Sequence, residues 1–302
     1  MLRPGANALG VWLGGGQYDS TWTHAWFKGP HGTSPPLGLR LLLRLTLKNG
    51  TSTVVARSNP QTWAASESPF LSDDVYKGVA FDARKLKDGF ASPGYKPDSG
   101  WTPAAPVPNA SMLFGAMSPH VFTPTRIVSK RHPVRMTMPA PGVYVYWFEE
   151  NSVGWAQLNN VRLPAGTNLT LAHGEQLAHY EGGKLKSACL VGCEGGRVWY
   201  AWCGAVDTYT MRGGSKLETY GALLSYHGFQ FVELTGWPSD APPPTLATIS
   251  AQVVHADNKR IAQLSFPSGK ADLLNKLHDN IVRSLLGNMH SVESDCPTRE
   301  RV

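Results

Sequence analysis

Most of the chain alternates apolar and polar positions with a period of two, in short runs closed by glycine and proline. Ala8–Leu13 is an apolar run broken by Gly14-Gly15-Gly16. Leu39–Leu47 alternates in part and runs into Lys48-Asn49-Gly50-Thr51, a hairpin signal with Thr51–Arg57 as the returning strand. Residues 58–125 are rich in Pro, Ser, Asp and Trp and read as long connections between short strands. A second series follows: Arg126–Met138, Val143–Phe148, Trp155–Arg162, Asn168–Ala172, Thr208–Arg212, Leu223–Tyr226 and Gln230–Leu234. Ile249–Ala256 is a last strand after Pro242-Pro243-Pro244. From Ser268, a plausible cap, the period becomes helical: Leu273, Leu274, Leu277, Ile281, Leu285 and Met289 recur at steps of three and four. The pattern predicts a mainly β protein, with two β-sandwich or jelly-roll domains (1–125 and 126–240) followed by one amphipathic helix in 241–302.

Composition narrows this picture. The 302 residues suffice for two domains, and 42% hydrophobic content provides a core. The net charge is +6, but Lys and Arg are scattered, with the densest group at Lys130-Arg131-His132, so no nucleic-acid partner is expected. The longest apolar stretch, Leu37–Leu47, is interrupted by Arg40 and Arg44 and falls short of the roughly 20 residues a spanning helix needs, so no membrane partner is expected either. No signal-peptide core follows Met1, and Asn49, Asn109 and Asn168 head N-x-S/T triplets that arise easily by chance; the compartment is unassigned. Cys189, Cys193 and Cys203 have C-x3-C-x9-C spacing, which is not that of a zinc site; a loop disulfide or free thiols are expected, and no metal.

Three stretches in order resemble the bacterial-type α-L-rhamnosidases, glycoside hydrolase family 78. Leu2-Arg3-Pro4-Gly5-Ala6-Asn7, Gly10-Val11, Trp63, Ser68-Pro69, Tyr76 and Asp82-Ala83-Arg84 are similar to the family's N-terminal β-sandwich. Gly142-Val143-Tyr144-Val145-Tyr146, Asn151, Gly154-Trp155, His173-Gly174-Glu175, Asp207-Thr208-Tyr209-Thr210 and Tyr226-His227-Gly228-Phe229 resemble its concanavalin-like sandwich. Leu274-Asn275 to Asn288, then Asp295-Cys296-Pro297-Thr298-Arg299-Glu300, resembles the beginning of its (α/α)6 barrel. The resemblance implies a fragment that starts inside the first sandwich and stops as the barrel begins.

The resemblance also implies chemistry: release of terminal α-L-rhamnose from glycosides or polysaccharides by single-displacement inversion, with no cofactor. Inversion needs two carboxyl groups roughly 6.5–9.5 Å apart, one acid and one base. The family pattern places sugar-binding residues at Asp295 and Arg299 and the general acid at Glu300; the base belongs to the barrel, so this chain alone is expected to be inactive. A calcium-assisted sugar site on the first sandwich maps to Gly14–Tyr18 and Asp74–Arg84. Ligand carboxylates are replaced there by glycine and Val79, so calcium is not expected, and Asp82 and Arg84 are expected to fix a turn. His173 and Glu175 read as a surface pair on one strand face, His227 as a structural residue in a turn, and the tryptophans Trp12, Trp22 and Trp26 as packing. Relatives carry Asp-Phe-Gly-Gln-Asn where this chain has Trp147-Phe148-Glu149-Glu150-Asn151, which reads as relaxed packing. The rival function is a non-enzymatic carbohydrate-binding or interaction module. The apolar stripe of the terminal helix, if exposed, predicts self-association.

Overall fold

The computed structural model describes residues 3–16, 37–75, 77–107, 116–118, 121–181, 184–189, 197–199, 204–267, 269, 272–294 and 296–297. In chain order the strands are β1 (Leu42–Thr46), β2 (Ser52–Arg57), β3 (Ala64–Ser66), β4 (Phe70–Asp74), β5 (Gly78–Asp82), β6 (Trp101–Pro103), β7 (Thr125–Arg131), β8 (Arg135–Ala140), β9 (Val143–Val161) and β10 (Asn168–Gly174). They continue with β11 (Gln176–Glu181), β12 (Lys184–Cys189), β13 (Arg197–Trp199), β14 (Val206–Thr210), β15 (Glu218–Gly221), β16 (His227–Thr235), β17 (Ile249–Ala256), β18 (Met289–His290) and β19 (Val292–Glu293). Among the described residues one α-helix, α1 (Asp272–Gly287), is present, and it precedes β18. The expected mainly β architecture ending in one amphipathic helix is what the chain adopts.

The predicted hairpin is β1–β2, turning at Asn49-Gly50, where Gly50 has φ +83°. Ten strands form the main sheet in the order β4-β5-β14-β10-β16-β9-β17-β7, with β8 and β15 also pairing with β9. Each of these pairings is antiparallel except β5–β14, where Ala80 to Asp82 run parallel to Thr208 to Thr210. Through β5 the ladder extends from the region before residue 125 into the later series. The sheet curls: Phe81 of β5, Leu169 of β10, Leu234 of β16, Leu158 of β9 and Ile249 of β17 all meet in one buried cluster. A second buried cluster joins Val145, Leu177, Val198 and Phe231 on the other face. Several strands are therefore covered on both sides, as β10 shows with five fully buried residues out of seven.

Two sequence expectations change. Ala8–Leu13 joins no ladder among the described residues; Gly10 threads against Phe90, and Trp12 stacks on Phe90 and meets Phe70 edge-on. Leu223–Tyr226 is a turn closed by the Ser225 amide donating to the Ala222 carbonyl, and the strand before it is β15. An apolar pair such as Leu223-Leu224 mimics a strand, yet Leu223 points to solvent.

Gly154 lies where β9 passes between β16 and β17. It has φ +148°, and a Cβ there would stand 1.8 Å from the Gln252 carbonyl oxygen. Gly154→Ala is expected to lower stability by on the order of 3 kcal/mol or more, read from the urea midpoint. An unchanged midpoint would disprove the close approach.

Candidate functional site

Asp295, Arg299 and Glu300 lie outside the described residues, as do Gln17, Tyr18, Trp22, Trp26, Tyr76, Cys193, Cys203 and Ser268. The structure does describe what leads to the first three. After α1, the Asn288 carbonyl accepts from both the Ser294 amide (2.8 Å) and the Ser294 hydroxyl (3.2 Å), closing a loop around the β18–β19 hairpin. Ser291 makes the turn with φ +76°. His290 stacks on Tyr226 with centroids 3.9 Å apart and planes 4° from parallel, and its Nε2 lies 3.2 Å from the Val254 carbonyl. On the far side of Asp295, Cys296 is half-buried and Pro297 is buried. A cavity of about 310 Å³ opens beside this hairpin, lined in part by Phe122, Asn258, Met289 and Glu293.

Sequence reasoning missed a buried polar cluster. His173, Asp207 and His227 are fully buried, and their candidate ligand atoms lie within 4.8 Å of one another. His173 is not a surface residue paired with Glu175. Glu175 instead accepts from Asn151 Nδ2 at 2.6 Å, while His173 faces inward because both faces of β10 are covered. His227 is the first residue of β16, in a ladder, not a turn. The Ala156 amide donates to His173 Nε2 (3.1 Å), so that nitrogen carries the lone pair; Nδ1 then carries the proton, donated to the Ala205 carbonyl at 3.2 Å. His227 Nε2 lies 3.2 Å from each Asp207 oxygen, and the Val79 amide donates to Oδ1 at 2.9 Å. Burial raises the Asp207 pKa, but the two histidines and the Val79 amide outweigh it and hold the carboxyl below its ordinary value. An ion on His173 Nε2 would have to displace the Ala156 N–H. The donor set therefore suits a hydrogen-bonded tie between β5, β9, β10, β14 and β16 rather than a metal, and no substrate reaches it.

On the first region, Asp82 and Arg84 form the expected turn: Oδ1 accepts from the Arg84 amide (3.0 Å) and Nε (2.9 Å), and Oδ2 from Nη2 (2.8 Å). Arg84 holds the Asp82 carboxyl below its ordinary pKa. Gly14 packs on Asp73 so closely that a Cβ would lie 2.1 Å from Oδ2. Burial raises Asp73 from 3.8 to about 6, against a hydrogen bond from Gly16, and Asp74 and Asp207 add repulsion. The Glu149–Glu150 pair is split as adjacent strand residues should be, with Glu149 exposed. Glu150 is not in relaxed packing: it takes ion pairs from Arg131 of β7 and from Arg283 of α1, the latter at 2.6 Å.

Residues 1–128 match the α-L-rhamnosidase N-terminal domain, and residues 137–255 match the bacterial α-L-rhamnosidase concanavalin-like domain. The chain belongs to the bacterial α-L-rhamnosidase family. An α-L-rhamnosidase of Streptomyces avermitilis is 32% identical over 99% of this chain, and one of Formosa agariphila is 26% identical over 99%. The chain spans 26% and 30% of those two rhamnosidases. The crystal structure of the Streptomyces avermitilis α-L-rhamnosidase complexed with L-rhamnose superposes with a TM-score of 0.72 at 30% identity, covering 95% of this chain and 25% of that one. The α-L-rhamnosidase from Dictyoglumus thermophilum superposes with a TM-score of 0.73 at 26% identity, over 95% of this chain and 28% of that one. In this rhamnosidase relative, the described residues are the β domains and the first helix after them.

Asp73 gives a pH signature. Its folded pKa lies above its unfolded value, so between pH 3.8 and about 6 the native state binds more protons, and the contribution of this group to stability falls as pH rises through that window. Asp73→Asn keeps an acceptor for Gly16 but cannot ionise. Relative to wild type, the variant should gain stability between pH 4 and pH 7 in urea titrations (roughly the window of the shift). A difference independent of pH would disprove the assignment.

Proposed function

We propose that this chain provides the β scaffold and the start of the active site of an α-L-rhamnosidase that releases terminal α-L-rhamnose from rhamnose-containing glycosides with inversion. The observation that carries the reading is the run Asp295-Cys296-Pro297-Thr298-Arg299-Glu300, placed after the two matched domains. Asp295 and Arg299 bind the sugar. Glu300 donates the proton to the leaving oxygen, and a second carboxylate supplied from outside these residues activates the water. Neither the acid nor a base alone completes a single displacement, so a polypeptide of these 302 residues does not turn over substrate. No release of p-nitrophenol above background is expected from p-nitrophenyl α-L-rhamnoside; turnover that is abolished by Glu300→Gln would overturn the claim of inactivity while supporting the acid assignment.

The helix gives the second expectation. Leu273, Leu274, Leu277, Ile281 and Leu285 of α1 are each at least 44% exposed, and together they form a continuous apolar stripe. The isolated chain therefore self-associates through α1. Light scattering should show a mass above the 32.8 kDa monomer that rises with concentration, and Leu277→Glu with Ile281→Glu should restore the monomer. A monomer at every concentration would refute it.

A further inference from the structure

The segment that carries Asp295 is fastened to the sheet by side chains that belong to no sugar site. Glu150 sits on β9 where its pairing with β16 is interrupted: Phe229 faces Ser152, then Phe231 faces Trp147. The skipped residues are spanned by Gln230, whose Nε2 donates to the Phe148 carbonyl at 3.2 Å and the Glu149 carbonyl at 3.4 Å. This excursion pushes Glu150 to the rim of the sheet, where Arg131 and Arg283 converge on its two oxygens. Four residues on from Arg283, on the same face of α1, Gly287 lies so close to Val153 that a Cβ would stand 2.9 Å from Cγ2. Beyond the helix, His290 stacks on Tyr226 and reaches the Val254 carbonyl, and Asn258 Nδ2 contacts Met289 Sδ at 3.3 Å. Ser294, the last residue before Asp295, is tied back to Asn288.

From this geometry we propose that Glu150, Tyr226 and His290 are positioning residues: they latch α1 and the β18–β19 hairpin to the concanavalin-like sheet and so set where the sugar-binding segment from Asp295 to Glu300 begins. The inference rests on the rhamnosidase reading for the role of that segment, but the latch is measured without it. Tyr226 is next to His227, so the residue that anchors the hairpin adjoins the buried His173–Asp207–His227 tie. The hairpin is thereby referenced to the buried interior of the sheet. The helix presents Arg283 and Gly287 to the sheet and leaves its apolar stripe outward for another surface.

Hydrogen–deuterium exchange on the full 302-residue chain tests this. Tyr226→Leu should raise exchange of the amides of 288–294 about tenfold, and Tyr226→Phe, which keeps the ring, should restore protection. Glu150→Gln should raise it about threefold, and 1 M salt should do the same to wild type while adding nothing to Glu150→Gln. The amides of β16 and β17 should not change. The His290 ring protons should resonate upfield of their random-coil positions in wild type and Tyr226→Phe, and lose that shift in Tyr226→Leu. Unchanged protection at 288–294 in both Tyr226→Leu and Glu150→Gln would overturn the latch. Should Tyr226→Leu unfold the sheet, seen as lost protection in β16 and β17, Glu150→Gln alone decides. Loss of the latch leaves the roles of Asp295 and Glu300 standing, and loss of those roles leaves these exchange rates as stated.

Discussion

Strand β9 is nineteen residues long and pairs with β8, β15, β16 and β17. A strand of that length cannot stay flat: the right-handed twist accumulates along it, and a sheet hydrogen-bonded to its whole length must curl. Two local devices let β9 serve both halves of the curl. Gly154 allows the Gln252 carbonyl to approach where a side chain would collide, and the irregularity at Phe148–Asn151 resets the register against β16. Because the curl follows, Phe81, Leu169 and Ile249, from strands that are not neighbours, share one core. The expected gain from that core is the usual one, about 25 cal/mol per Å² of apolar surface removed from water. It is available only because β9 bends the sheet around it.

The same curl explains which parts of the fold were legible in the sequence. Period-two runs locate strands wherever one face meets water, and the Asn49-Gly50 hairpin follows from its turn residues alone. Alternation loses its meaning where both faces are covered. Alternation predicts an exposed His173 on a strand with one polar face, but β10 has the main core on one side and the cluster of Leu177 and Phe231 near the other. Leu223–Tyr226 failed for the opposite reason: a turn carrying two leucines has the composition of a strand, and only the Ser225–Ala222 hydrogen bond shows that the chain reverses there. The helix was legible because five apolar residues from Leu273 to Leu285 keep one phase, and that phase holds whether or not a partner covers it; Met289, the next in that series, falls in β18.

For the site, local pairs were readable and distant ones were not. Asp82 and Arg84, two residues apart, could be assigned to a turn by reach alone. His173, Asp207 and His227 come together only through the pairing of β10 with β14 and β16, which no spacing in the chain encodes. Asp295, Arg299 and Glu300 were found through family resemblance; on residue type alone they are a polar stretch after a helix.

Glu150 shows how a departure from a family pattern acquires a physical meaning. The family pattern that this run resembles implies a glutamine at this place, and a neutral amide facing two guanidinium groups would leave them to repel each other across a half-buried rim. A carboxylate accepts from both, with one oxygen for Arg131 and the other for Arg283. Each exposed pair taken alone contributes little, at most about 1 kcal/mol. Here the two pairs share one anion that is about one-third exposed, and they join three elements, β7, β9 and α1, between which no ladder runs. The substitution is therefore not independent of Arg131 and Arg283. The three charges form one unit, and its effect is to fix the direction in which the chain leaves the β scaffold.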